Sequence, residues 1–345
     1  MTRRELLFGS LGFALRKGAT DEAVRLIEAR TKTGEVAAAV LHVRNEGRTF
    51  EKAFGKAPNP EAVFLIASIT KPMTATALML LADRGRLTVN DPVQEHIPEF
   101  RGGGREAVLI RHLLTHTSGL PDMLPENEDL RKRHAPLKDF VAGACRTPLL
   151  FKPGTEVRYQ SMGTLLASEI VARVSGSPIH EFLKAEIFNP LGMTRTSLGL
   201  GGRAISDTML SQVPEQTDWD WNSAYWRNLG APWGGAHSTV GDISRLLQYF
   251  AHPRPGVLKA ETAAAMIQNQ NTGLKRSWGY GWMVGSTELG KGCSPGTFGH
   301  SGSTGTLCWH DPKKDTTFVL LTTKPANLSS VMLIRPVSDL ISQAA

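Results

Sequence analysis

A chain of 345 residues with 41% hydrophobic and 21% charged side chains has the make-up of an ordinary globular protein, long enough for one large domain or two interlocked ones. Its 34 Gly and 20 Pro are dispersed and no internal repeat occurs, which excludes collagen-like or low-complexity character. The net charge of +7 would suit nucleic acid or an anionic membrane, but the cations form no stripe. The densest run, Arg131-Lys132-Arg133, reads as a solvated charge run, so no nucleic-acid partner is expected.

No stretch of 18 apolar residues occurs, so no integral membrane segment is expected. The three cysteines, at 145, 293 and 308, are odd in number and fit no zinc or redox spacing. Neither a disulfide framework nor a metal site is expected.

At the N-terminus, Arg3-Arg4 precede an apolar stretch from Leu6 to Leu15. Two readings stand: a degenerate twin-arginine export signal within residues 1–20, or an amphipathic helix docked on the body. Localisation, cytoplasmic or exported, follows whichever holds. Residues 21–32 have helical periodicity. Val36 to Val43 is β-rich, Asn45-Glu46-Gly47 signals a turn, and Arg48 to Phe54 reads as the returning strand.

Ser68 to Arg84 is strongly helical and is stopped by Gly85. Helix patterns follow at Ile110 to Leu114, Leu137 to Ala144, Gly163 to Val174 and His180 to Ile187, and then at Val240 to Phe250. Strand patterns return at Tyr280 to Val284, Gly305 to His310 and Thr316 to Thr323, the last two joined at Asp311 to Asp315. A final helix, Ser329 to Ile341, carries a kink at Pro336. The β-rich ends bracket a helical middle. This predicts an α/β domain from residues 1–66 and 235–345, a mainly helical domain over 67–234, and an active site in the cleft between them.

Chemistry concentrates in Ser68-Ile69-Thr70-Lys71, the only S-x-x-K of the chain. Residues i and i+3 share a helix face, which sets the amine beside the hydroxyl. A serine needs a base to become a nucleophile, and a lysine serves only when neutral. Pro72 fixes the helix start close to Ser68, leaving early N–H groups, that of Ser68 included, free to meet a developing oxyanion. Two further elements accompany it: Tyr159-Gln160-Ser161, and His300-Ser301-Gly302 within GHSGSTG ahead of a β-hairpin.

With these triplets, the stretches ASITKPMTATALMLLADRGRLTVNDPV, LLTHTSGL and NPLGMTRTSLG give a clear likeness over residues 35–330. The chain resembles the serine β-lactamase and penicillin-binding-protein superfamily, in the class C-like branch that includes family VIII carboxylesterases. The resemblance implies an α+β fold: a five-stranded-type antiparallel sheet flanked by helices, plus an all-helical region. It implies Ser68 as nucleophile, Lys71 and Tyr159 sharing general-base duty, and the backbone N–H groups of Ser68 and Ser303 as oxyanion hole. Ser161, His300, Ser301 and Gly302 would line the substrate site, and no cofactor is implied.

Two departures bear on substrate. Ser161 stands where many β-lactamases have Asn, and His300 where the third triplet usually begins with Lys. Both favour a neutral ester over a penicillin. The expected activity is hydrolysis of small to medium carboxylic esters. The alternatives are a β-lactamase or D-amino-acid-directed amidase or peptidase, an acyltransferase, and an acylatable sensor that does not turn over. Oligomeric state is left open. His112 and His116, four apart, lack the Glu of H-E-x-x-H and read as a helix end shaping the cleft. Trp219, Trp221, Trp226 and Trp233 read equally as pocket lining or as the core of an irregular segment.

Overall fold

The computed structural model describes residues 3–345, with side chains from residue 18 onward. The side chains of Arg3-Arg4 and of Leu6 to Leu15, on which the export-signal reading rests, lie outside the described residues. Helix α1 spans Arg3–Lys32.

Strands β1 (Ala38–Asn45) and β2 (Arg48–Gly55) form the expected hairpin. Glu46 and Gly47 at its turn both have positive φ, 45° and 79°, as a two-residue turn matched to strand twist requires. Strand β3 is Val63–Leu65, β4 Ser197–Leu198, β5 Thr208–Met209, β6 Ala236–Ser238 and β7 Met283–Val284. Strands β8 (Phe298–Gly302), β9 (Thr306–Asp311) and β10 (Thr316–Thr322) follow. The main sheet is antiparallel with the order β2-β1-β10-β9-β8-β7. It has six strands where five were expected. The sixth is the two-residue β7, a remnant of the strand predicted over Tyr280 to Val284, because Gly281 at φ 85° turns the chain first. A second small sheet, β4-β6-β3-β5, is assembled from pieces of two or three residues.

The main sheet is buried on both faces. Along β1, Ala38 and Val40 enter the larger core while Ala39, Leu41 and Val43 enter the other, as period-two alternation dictates. The smaller core packs the sheet against Ile27 of α1 and against Val337 and Ile341 of the last helix. The larger core holds the helices of the middle region. Among these are α2 (Thr70–Asp83), α3 (Ile110–Leu114), α4 (Leu137–Arg146) and α5 (Met162–Ser175), joined by α6 (Val240–Ala251).

Helix α2 is buried over all of Thr70 to Leu81. Each fully buried leucine there contributes about 1.5–3 kcal/mol. Its two interior threonines are reconciled with burial by hydrogen bonds, Thr74 Oγ1 to the Pro232 carbonyl and Thr76 Oγ1 to that of Pro72, both at 2.7 Å. Gly85 closes it with φ 67°.

The last helix, α7 (Arg335–Ala344), is preceded by a π-helical turn over Ser330–Ile334. Pro336 lacks an N–H and crowds the carbonyl four residues back, so the predicted kink is realised as a widened turn just upstream. Among the described residues no helix is long and apolar enough to cross a membrane.

Candidate active site

Ser68 lies in a 3-10 turn, Ala67–Ile69, that links β3 to α2. The preceding Ala67 has φ 46°, a left-handed conformation that costs about 1–3 kcal/mol for a residue with a Cβ. The surroundings impose it. The Ile66 N–H donates to the Ala236 carbonyl of β6 at 2.9 Å. The carbonyls of Leu65 and Ile66 accept from the hydroxyls of Thr304 (2.7 Å) and Thr306 (3.0 Å) in the β8–β9 hairpin. Thr70 Oγ1 donates to the Ala67 carbonyl at 2.6 Å. Gly302 completes the clamp: a Cβ there would sit 2.4 Å from the Ile66 oxygen and 2.2 Å from Thr306 Oγ1. Only glycine lets β8 approach the serine turn this closely.

Lys71 Nζ lies 3.1 Å from Ser68 Oγ and donates to the Trp233 carbonyl at 3.0 Å. The side chain is 2% exposed. Burial lowers its pKa from 10.5 to about 7, against a weaker upward pull from Asp122. The amine therefore loses its proton readily near neutrality and faces a serine hydroxyl.

The Tyr159 ring sits under the same amine, with Nζ 4.7 Å from the ring centre. Burial raises the phenol's pKa, with a hydrogen bond to Ser68 working in the opposite direction. Tyr159 belongs to a cluster of four rings. His116 stands 4.7 Å from it, Trp278 5.9 Å and His300 6.2 Å. His116 and Trp278 meet edge to face at 4.4 Å.

Gln160 is wholly buried and organises the loop. Its Nε2 donates to the His112 carbonyl at 2.9 Å and its Oε1 accepts from Ser118 Oγ at 2.5 Å. Its backbone N–H donates to His116 Nδ1 at 3.1 Å, so the His116 proton is on Nε2. Burial, with Lys71 and His300 nearby, lowers the His116 pKa well below its ordinary value.

His300, on β8, is 1% exposed, and burial together with Lys71 brings its pKa down to about 3. Its Nδ1 donates to the Ser301 carbonyl at 2.7 Å, which leaves a lone pair on Nε2 with no partner among the described residues. Ser161 is also 1% exposed, and its hydroxyl donates to Asp122 Oδ1 at 2.5 Å. That hydroxyl is committed to a carboxylate. Ser301 and Ser303 are exposed, either side of the buried Gly302. Among the described residues the backbone N–H groups of Ser68 and Ser303 donate no hydrogen bond.

The structure thus brings Ser68, Lys71, Tyr159 and His300 together, with the Gly302 backbone against the serine turn. It adds neighbours that sequence reasoning did not single out: Trp278, the Trp233 carbonyl and Asp122. His116 was read only as part of a helix end, yet its ring packs on Tyr159. No group of three or more His, Cys, Asp or Glu is placed to hold a metal among the described residues.

The tryptophan-rich segment is core for Trp226 and Trp233, which are 5% and 2% exposed, while Trp219 and Trp221 are half-buried. It also corrects the charge-run reading. Arg131 is half-buried, its guanidinium 4.2 Å from the Trp226 ring centre and 5.2 Å from that of Trp219, and it donates to the Trp219 carbonyl at 2.8 Å.

This hydroxyl–amine–phenol arrangement beside an antiparallel sheet is the one the sequence resemblance led to expect, and comparison with known proteins gives the family. The Beta-lactamase family matches residues 23–339, and the chain belongs to it. Protein flp of Staphylococcus aureus (strain COL) is 29% identical over 222 residues, 58% of this chain and 44% of flp. Esterase EstB of Burkholderia gladioli is 32% identical over 169 residues, 45% of this chain and 43% of EstB. The matches therefore span less than half the length of these curated relatives. The solved structure of EstCE1, a hydrolase with promiscuous acyltransferase activity, superposes with a TM-score of 0.78 at 20% identity, covering 95% of this chain and 99% of that one. At that identity the likeness concerns the fold alone.

Proposed function

We propose that the protein is a serine hydrolase of carboxylic esters that works through an acyl-enzyme on Ser68. The observation that carries the reading is the pairing of Ser68 Oγ with a buried Lys71 amine 3.1 Å away whose pKa is about 7. In this mechanism neutral Lys71 takes the Ser68 proton as Oγ attacks the ester carbonyl. The Ser68 and Ser303 N–H groups hold the oxyanion. Tyr159 stays a neutral phenol, because burial disfavours its phenolate, and passes the proton from Lys71 to the departing alkoxide. Water then attacks the acyl-enzyme, Lys71 takes its proton, and Ser68 leaves protonated with release of the acid. Lys71 is thus the first base and Tyr159 the relay.

Ester preference is supported by His300 and Ser161. A buried neutral imidazole offers no cation to a β-lactam carboxylate, and the Ser161 hydroxyl is occupied by Asp122. The likeness to EstB supports the same reading. The reading also takes the site as the cleft between a sheet domain built from both ends of the chain and the helical middle.

The test is turnover of p-nitrophenyl esters of increasing chain length, beside a chromogenic cephalosporin, by wild type and Ser68→Ala. Ester turnover that disappears in the variant, with little cephalosporin hydrolysis, is expected. Cephalosporin turnover above ester turnover would overturn the ester assignment. An undiminished variant would remove Ser68 as nucleophile.

A further inference from the structure

A cavity of about 570 Å³ lies away from Ser68, between helix α6 and the β1–β2 hairpin. Strand β8 of the candidate active site is three strand spacings from β1, roughly 14 Å across the sheet. The hairpin contributes two cross-strand pairs, His42 opposite Glu51 and Arg44 opposite Thr49. Helix α6 contributes Arg245 and Gln248 from one face, and Arg254 follows just beyond it.

Three arginines and a single carboxylate, Glu51, line this groove. Arg245 is paired with the buried Asp242 at 2.7 Å, Glu51 with His42 at 2.8 Å, and His252 with Asp315 at 3.6 Å. Glu61 stands at the margin, near Gly241. Arg44 and Arg254 remain, and neither has a hydrogen-bond or ion-pair partner among the described residues. The Nε of Arg44 is buried without a partner.

His42 is 4% exposed and lines the same cavity, and its Nε2 is also buried without a partner. With Nδ1 donating to Glu51, Nε2 is the ring's one uncommitted polar atom. The groove therefore presents two uncommitted guanidinium groups, a threonine hydroxyl and one imidazole nitrogen.

We propose that this groove is a binding site for a phosphate group, free or carried as a monoester on a small molecule. Phosphate and its monoesters carry enough oxygens to meet Arg44, Arg254 and Thr49 at once, and they meet His42 Nε2 with either an O–H or a bare oxygen. A carboxylate has only its two oxygens to share among these groups. The volume suits a small ligand and not a polymer.

The experiment is a titration of the full chain with inorganic phosphate, phenyl phosphate and acetate, read by 31P line broadening and by Tm, with chloride holding ionic strength constant. Wild type should bind a phosphate species, with acetate at least about tenfold weaker. Arg44→Gln and Arg254→Gln should each weaken phosphate binding about tenfold or more while ester turnover stays unchanged. Arg254 is exposed, so its variant remains informative should Arg44→Gln fail to fold. Tighter binding of phenyl phosphate than of phosphate supports a monoester ligand, and the reverse supports the free ion. Wild type indifferent to both, folded variants that bind like wild type, or acetate equal to phosphate would overturn the proposal.

Discussion

Thr304 Oγ1 donates to the Leu65 carbonyl at 2.7 Å, tying the turn that follows His300 to the strand that delivers Ser68. With Thr306 on Ile66 and the bare Cα of Gly302 between them, the spacing of the two segments is set by contact. Gly302→Ala places a methyl 2.2–2.4 Å from fixed oxygens and must push them apart. Overpacking of this kind costs about 1–3 kcal/mol. The expected outcome is a lowered Tm, with a fall in kcat larger than that stability loss predicts, measured by calorimetry and by ester kinetics on the folded fraction.

The Lys71 pKa of about 7 sets the pH dependence. In the proposed mechanism Lys71 works as a base when neutral, so kcat/KM should rise with pH and level off above a midpoint near 7. Stability follows the same group. The unfolded lysine holds its proton up to about 10.5 and the folded one releases it near 7, so between those values the unfolded state binds more protons. This group's contribution therefore makes the protein more stable as pH rises through that window. Denaturant midpoints between pH 6.5 and 9 check it, with Lys71→Met as the variant that removes the slope.

Asp122 pulls the Lys71 pKa upward, against the effect of burial. Asp122→Asn keeps an acceptor for Ser161 and removes the charge. The acidic limb of the pH–rate profile should move to lower pH. A limb that stays in place would show that Asp122 does not act on the amine.

Tyr159→Phe retains the ring packed on His116 and deletes the hydroxyl. Loss of a positioned proton-transfer group lowers kcat by about 10²–10⁴, with KM little altered. Combined with Lys71→Ala, the losses should be far from additive if, as proposed, both serve one proton path. Single-turnover acylation rates for the four proteins complete the cycle.

How much of this was legible in the sequence depends on range. Ser68 and Lys71 are one helical turn apart, and Pro72 dates the helix start, so their juxtaposition needs only local geometry. The β1–β2 hairpin was equally plain from Asn45-Glu46-Gly47. What periodicity misses is contact between distant segments. His116 and Tyr159 are 43 positions apart, and nothing local announces that their rings pack. The Trp233 carbonyl that holds Lys71 is a backbone atom, which any residue could supply. Arg131 looked solvated beside Lys132 and Arg133 because its indole partners come about ninety positions later. The strands of the second sheet, two or three residues each, are too short to show a period.

The order of strands in the main sheet has a consequence for how the protein comes into being. Strand β1 neighbours β2 on one side and β10 on the other, and β10 begins only at Thr316. During synthesis the hairpin, the Ser68 helix and Tyr159 all emerge first, while β1 keeps an open edge and the serine turn lacks its Thr304 and Thr306 clamp. Such non-local pairing makes folding slow and leaves the edge exposed to other chains in the interval. It also times the proposed chemistry: a nascent chain carries Ser68 and Lys71 long before Thr304 and Thr306 are made, so the proposed hydrolysis would have to wait for strands β8 to β10.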